Sequence, residues 1–432
     1  MKRDKGIRVR RGVPRHSCFA IALLGILLVE SAHAVILFRT ADPSANTTAP
    51  TNDPAGSGWN YEGHFGSFLG TPIAPHFFLT AKHIFQAASV FTFGEMDYTI
   101  VAHFYDPFSD FAIWKVVETF PTFAPLYSNS NETGLRLIVV GRGTQRGSGV
   151  FLGQELRGWY WGSDDGVQRW GENIVADIVN FSSGPDDAIY ATFDQKDGLP
   201  DLPDESHISR GDSGGGVFIQ DGAVWKLAGL NSYVDGHFYS DTSGNGEFDA
   251  ALFDARGFYY SDGGNPPTYT QITGTDAVPS GFYATRVSSK LAWIYSVIDP
   301  TGDADGNGRS NLLDYALLLN SVSQPGYGMT GVMVENGFLE LIYRKILNAS
   351  SLQYQVEVST DLVSWDPATS QDETVRTDEN VQTIKAKVAI GSNTLMVLRL
   401  RITESQAPGS TAKWETRAST SARAAYKTGS AR

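Results

Sequence analysis

Between Val35 and about Asp299 the chain is broken into short apolar runs, parted by clusters of Gly, Pro, Asn and Asp. Runs of roughly four to seven residues are too short for ordinary helices and read as strands. They include Phe77 to Thr80, Tyr98 to Phe104, Phe111 to Val116, Leu135 to Val140, Gly216 to Ile219 and Lys226 to Leu230. Turn-marked strands at close intervals argue a sandwich or barrel, not an alternating α/β fold. Composition points the same way, with 45 glycines among 432 residues, 12% aromatic and only 19% charged, against the ~25% charged residues of an average soluble domain. The 41% apolar content supplies a core and excludes global disorder. One helix is expected, Ser288 to Ile298, where Leu291, Trp293, Ile294 and Val297 share roughly one face.

The N-terminus has a different character. Seven Lys/Arg lie between Lys2 and Arg15, an apolar run follows from Cys18 to Val29, and Ala32-His33-Ala34 closes the segment. That order is a secretory signal peptide over residues 1–34. The apolar run is shorter than the ~20 residues needed to span a bilayer, so cleavage is expected rather than anchoring, with export to the extracellular space or periplasm. The leader carries a charge of +5, so its loss takes the net charge from −13 to −18. An acidic chain is a poor binder of phosphate backbones, and nucleic acid is not an expected partner. Cys18, the only cysteine, leaves with the leader, so the exported chain has no disulfide and no cysteine metal site.

Three patterns carry chemistry. Leu79-Thr80-Ala81-Lys82-His83 ends an apolar strand, Asp110 opens the strand Phe111 to Val116, and Gly211-Asp212-Ser213-Gly214-Gly215 precedes another. A serine hydroxyl is a weak nucleophile and needs a base in hydrogen-bond reach. Histidine titrates near neutrality, and a buried aspartate holds its tautomer and stabilises the imidazolium. Glycines beside the serine let the backbone turn sharply, so that amides can face an oxyanion. Asp110 is preferred to Asp106 as the acid because an apolar strand follows it directly.

In this order, His83, Asp110 and Ser213 resemble the triad of the trypsin-like (chymotrypsin-fold) serine proteases, of the type secreted by bacteria. Further matches are Gly141-Arg142-Gly143 for the family's Gly-Trp-Gly, Trp225 to Tyr233 for the strand that binds substrate backbone, and Gly281-Phe282-Tyr283 and Trp293-Ile294 for the last strand and helix. The resemblance spans about 35–299. It implies an all-β fold of two antiparallel Greek-key β-barrels with a C-terminal helix. It also implies an oxyanion hole from the amides of Gly211 and Ser213. The substrate pocket would involve His207, Ser232, Tyr233, Val234 and Gly281. A new N-terminus at Val35 would pair with Asp212. Lys82 and Ile84 replace the usual neighbours of the histidine, Tyr233 replaces a tryptophan, and Val234 replaces a glycine and should narrow the pocket. His207 stands where an aspartate would select Lys or Arg. Small or medium uncharged residues before the scissile bond are expected, or acidic ones if His207 is protonated.

Two Asp/Gly-rich loops raise the question of calcium. Asp241 to Asp249 lies in a long insertion between Tyr233 and Gly281. It has alternating oxygen ligands but Leu252 where the last acidic ligand belongs, so a plain turn is an equal reading. Asp303 to Asp314 fits an EF-hand loop better, with Asp303, Asp305, Asn307, Arg309, Asn311 and Asp314 as ligands to a structural Ca2+, against a plain Asn/Gly linker as the other reading. It resembles the dockerin or thrombospondin-type loops of bacterial secreted proteins. Residues 300–320 therefore read as a linker with a calcium loop, 321–402 as a small β-sandwich and 403–432 as a disordered tail. The sandwich suits anchoring to a cell surface, carbohydrate contact or spacing. Two functions remain open at this point: a secreted serine endopeptidase acting on polypeptides, and a non-catalytic calcium-dependent adhesion protein using the protease fold as a scaffold.

Overall fold

The computed structural model describes residues 34–84, 88–180, 187–194, 202–303, 308–317, 332–347, 352–378, 381–392, 395–404 and 420–427. The leader, up to residue 33, lies outside them. The chain is all-β, with two short α-helices among the described residues.

Six strands close a barrel: β1 (Gly63–Phe65), β2 (Phe68–Ala74), β3 (Phe77–Ala81), β4 (Val90–Phe93), β5 (Met96–Tyr105) and β6 (Phe111–Val116), in the order β1-β2-β3-β6-β5-β4. Its interior is aromatic. Phe78 stacks on Phe91 at 3.9 Å, and Phe65 meets Phe78 and Trp114 at 5.4 and 5.0 Å. Burying rings of this size supplies much of the driving force.

The next strands are β7 (Arg136–Gly141), β8 (Thr144–Leu152), β9 (Glu155–Asp164), β10 (Arg169–Ile174), β11 (Asp177–Val179), β12 (Ala188–Thr192), β13 (Gly216–Asp221), β14 (Val224–Val234), β15 (Ala250–Leu252) and β16 (Gly281–Arg286). Seven of them form one sheet, β10-β7-β13-β14-β16-β12-β11. This half-barrel and the closed barrel together fit the expected two-barrel all-β fold. The long hairpin β8–β9 leaves the sheet and pairs with β15 from the 234–280 insertion. The open side is bridged by a side chain: Asn173 on β10 donates to the carbonyls of Thr192 and Ser206, both at 2.9 Å. A buried bidentate pair, Arg286 on β16 with Glu132, fixes the last strand to the segment joining barrel and half-barrel, at 2.9 and 2.7 Å.

The expected helix starts as a 3-10 turn, Ser288–Lys290, and continues as α1 (Leu291–Ile298). Trp293, Ile294 and Val297 are buried. The segment expected as a linker holds a further helix, α2 (Asn311–Ala316), capped by the Ser310 hydroxyl, which accepts from the Leu313 amide. Leu312, Leu313 and Ala316 are buried in the same apolar cluster as α1 and as the strands that follow.

Those strands are β17 (Val332–Glu335), β18 (Phe338–Ile346), β19 (Leu352–Ser359), β20 (Asp366–Pro367), β21 (Gln371–Asp378), β22 (Val381–Ala389), β23 (Leu395–Glu404) and β24 (Thr420–Lys427). They form two four-stranded sheets, β17-β18-β22-β21 and β20-β19-β23-β24. Period-2 runs such as Leu339, Leu341 and Tyr343 bury one face, and Leu398, Leu400 and Ile402 bury another in the same cluster. The Tyr354 hydroxyl donates to the Ala316 carbonyl at 2.9 Å, so α2 and the second sheet are tied directly. Strand β24 falls in the region expected to be a disordered tail, where it pairs with β23 from Leu395↔Lys427 to Ile402↔Thr420. An open strand edge offers backbone hydrogen bonds that outweigh a weakly apolar composition.

Candidate active site

Register brings the first two residues together. Strands β3 and β6 pair with Ala81 opposite Phe111, so the residues just beyond each end meet. The Lys82 amide donates to the Asp110 carbonyl at 2.7 Å, and the His83 amide to the Asp110 carboxylate at 2.8 Å. His83 Nδ1 lies 2.6 Å from Asp110 Oδ2, and His83 Nε2 lies 2.8 Å from Ser213 Oγ. An ionised carboxylate only accepts, so Nδ1 carries the proton and Nε2 is left to accept from the serine hydroxyl. Asp110 is buried and takes a further donor, the Ser232 hydroxyl at 2.6 Å, itself 2.8 Å from Thr285 Oγ1. Ser232 thus joins the surroundings of the acid. Thr285, 53 residues away on β16, carries no local signal for this role.

Glycines force the turn that presents Ser213. Gly211 and Gly214 have φ of +97° and +78°, which side chains other than hydrogen rarely tolerate. A Cβ on Gly214 would stand 2.3 Å from Thr80 Oγ1. Among the described residues, the Gly211 and Ser213 amides donate to no protein acceptor, whereas the Gly214 amide is committed to the Asn231 carbonyl at 3.0 Å. Asp212 points away from the serine into the half-barrel and is fully buried. Its carboxylate accepts from the Gly143 amide, the Ser209 amide and the Ser209 hydroxyl at 2.7, 2.7 and 3.0 Å. The Val35 amide donates to it as well. Burial nevertheless pushes its pKa up to about 6, against the pull of these donors.

The residues expected at the pocket are spread over the half-barrel. His207 is wholly buried, paired with Ile36 in a two-residue ladder and set edge-on to Phe193 and Phe282, at 5.7 and 5.9 Å. Burial lowers its pKa, which works against the protonated form that an acidic preference would need. Val234 lies opposite Phe282, beyond a register shift between Asn231 and Tyr233, and packs on the half-barrel core. Tyr233 is exposed, with its ring 5.4 Å from that of His83. The space a side chain on Gly281 would fill is taken by the Tyr190 ring, 2.4 Å from the ideal Cβ. Neither Tyr190 nor Asp235, whose carboxylate accepts from the Gly281 amide, is picked out by a sequence motif.

In the calcium-loop candidate, Asp305 and Asn307 lie outside the described residues, as does the Asp314 side chain. The Asp303 carboxylate accepts from the Gly308 amide at 2.8 Å, and Gly308 has φ +81°. Asn311 is buried, and its side-chain amide donates to the Asp299 carbonyl at 2.8 Å. Among the described residues no cluster of three or more His, Cys, Asp or Glu side chains is placed to hold a metal.

No family model matches this sequence, and no curated protein does. Among solved structures, the chain is similar to neuropsin, a serine protease expressed in the limbic system of mouse brain. That match has 12% identity and a TM-score of 0.36 and covers 56% of this chain and 96% of neuropsin. It is also similar to kallikrein-related peptidase 10, at 14% identity and a TM-score of 0.33, covering 56% and 98%. Overlaps this loose assign no activity.

Proposed function

We propose that the protein is a secreted serine endopeptidase that hydrolyses peptide bonds through an acyl-enzyme. The carrying observation is the continuous relay from Asp110 through His83 to Ser213 Oγ, at 2.6 and 2.8 Å. Ser213 attacks the scissile carbonyl as His83 Nε2 takes its proton. Asp110 holds the imidazole and stabilises its cation, and the Gly211 and Ser213 amides receive the oxyanion. His83 then protonates the leaving amine, and water repeats the sequence to release the acid. A neutral, buried His207 and the Tyr190 ring over Gly281 favour small or medium uncharged residues immediately before the scissile bond.

Export rests on the leader. No described helix is long and apolar enough to cross a membrane. Cleavage after Ala34 would turn the Val35 amide, already on the Asp212 carboxylate, into an ammonium. Val35 has φ +55°, a strained value for a β-branched residue, and cutting its peptide bond relieves that strain. A structural Ca2+ would sit in the 303–314 loop, held by Asp303, Asp305, Asn307, the Arg309 carbonyl, Asn311 and Asp314, bracing α1 against α2. The sandwich would then serve as a rigid attachment for surface or carbohydrate contact.

The test is labelling of the mature protein by a fluorophosphonate, beside Ser213→Ala, with hydrolysis of a denatured protein substrate. Labelling and hydrolysis by the wild type alone support the peptidase. An unreactive Ser213 in the folded, leader-free protein refutes it and leaves the adhesion reading.

A further inference from the structure

Strand β14 runs past the relay: Ser232 touches Asp110, Tyr233 leans on His83, and Asp235 lies just beyond the strand's end. At ~3.3 Å per residue, Asp235 stands about 10 Å along from the residue that contacts the catalytic acid. Its backbone amide donates to the Gly281 carbonyl at 2.8 Å, and its side chain takes the return bond from the Gly281 amide, also at 2.8 Å. Two phenols complete the frame: Tyr190 donates to Oδ2 and Tyr283 to Oδ1, both at 2.8 Å. Tyr190 and Tyr283 face each other across β12 and β16 with rings 4.8 Å apart, and Tyr260 of the insertion is close enough to feel the same charge.

This environment holds a carboxylate but does not neutralise it. All three donors are neutral groups. Burial and the Asp235 charge push all three phenols above their ordinary range, so they remain protonated. Several other carboxylates meet arginine: Asp204 with Arg39, Glu132 with Arg286, Glu172 with Arg136, and Asp254 with Arg157 and Arg256. Among the described residues no Lys or Arg pairs with Asp235, although it is only half-buried and within reach of solvent. A fixed negative charge, rimmed by aromatic rings and lacking a cation, is the chemistry that receives an ammonium or guanidinium.

We infer that Asp235, with Tyr190, Tyr283 and Tyr260, forms an acidic aromatic subsite for a Lys or Arg side chain of the polypeptide substrate. The basic residue would lie two to four positions before the scissile bond, since Asp235 follows the end of β14, three residues beyond Ser232. The inference rests on the peptidase reading and deepens it. Selection is assigned to a residue outside the position occupied by His207.

The experiment compares fluorogenic peptides that carry Lys, norleucine or Glu at each of the second, third and fourth positions before the cleaved bond. Norleucine keeps the stem of lysine without its charge. At one of these positions, Lys should raise kcat/KM about ten-fold over norleucine, with Glu lowest. Asp235→Asn should bring the Lys/norleucine ratio close to one. A second measurement needs no variant: raising salt from 0.05 to 0.5 M should cut the wild-type ratio several-fold while the norleucine rate holds. Turnover without preference at any of the three positions overturns the subsite and leaves the peptidase reading intact. So does a preference that survives both Asp235→Asn and high salt. Failure to cleave every peptide, with no fluorophosphonate labelling, overturns the peptidase reading and this inference with it.

Discussion

Glu62 offers a test in which the magnitude comes from the structure. A 3-10 turn, Trp59–Tyr61, delivers this side chain between the barrel and the half-barrel. Its Oε1 accepts from Thr71 Oγ1 on β2 at 3.1 Å and from the Gly216 amide on β13 at 3.0 Å. Oε2 is buried with no hydrogen-bond partner among the described residues. Burial raises the pKa from 4.5 to about 8, with the two hydrogen bonds opposing. Between those values the folded protein keeps a proton that the unfolded chain has lost. The folded state is therefore favoured most at low pH, and that advantage drains away as pH rises toward about 8. The slope is about 1.4 kcal/mol per pH unit, so the whole window is worth on the order of 5 kcal/mol as an upper bound. Glu62→Gln keeps the acceptor and the shape and removes the titration. Urea midpoints of wild type and variant, taken from pH 5 to 9 at fixed salt and calcium, should diverge. The variant should gain about 3–5 kcal/mol relative to wild type across that range, most of it between pH 5 and 8. Curves that stay parallel would show that Glu62 is ionised in the fold, and the reasoning from burial would be wrong.

A single residue left ahead of Val35 replaces the ammonium at Asp212 with a neutral amide. Fluorophosphonate labelling should fall by about 100-fold or more against protein beginning at Val35, as expected when a buried carboxylate loses its ion partner. Glu132→Ala strips the buried partner from Arg286 and should cost about 3–5 kcal/mol in denaturation midpoint. Gly214→Ala combines a φ of +78° with a Cβ driven into Thr80, and should destabilise by at least ~1–3 kcal/mol while lowering the rate of probe labelling. EDTA should lower the melting temperature of the wild type, and Asp303→Asn should abolish that sensitivity; identical melting with and without chelator would remove the ion from the loop.

What could be read from the sequence, and what could not, divides along one physical line. His83, Asp110 and Ser213 stand beside apolar strands or between glycines, so local pattern fixes both the element and the end of it on which they lie. Strand Phe111–Val116 appears with the same bounds in sequence and structure, and it pairs with β3, another largely apolar run. The pocket obeys other rules. A register shift between Asn231 and Tyr233 decides which face Val234 takes, and a one-residue slip in a strand exchanges its two faces. Tyr190 reaches Gly281 only because β12 and β16 are neighbours, a pairing across about ninety residues with no local signature. The half-barrel stays open for the same reason, since β8–β9 finds its partner in an insertion far downstream. A nucleophile and its base need particular residue types in particular turns, which a chain must spell out locally. Selection of substrate needs only a charge and a cavity in the right place, which distant strands can build from residues of no special sequence. The proposed chemistry is therefore legible in three short motifs, while any specificity has to be read from strand order, register and groups such as Asp235 that no motif marks.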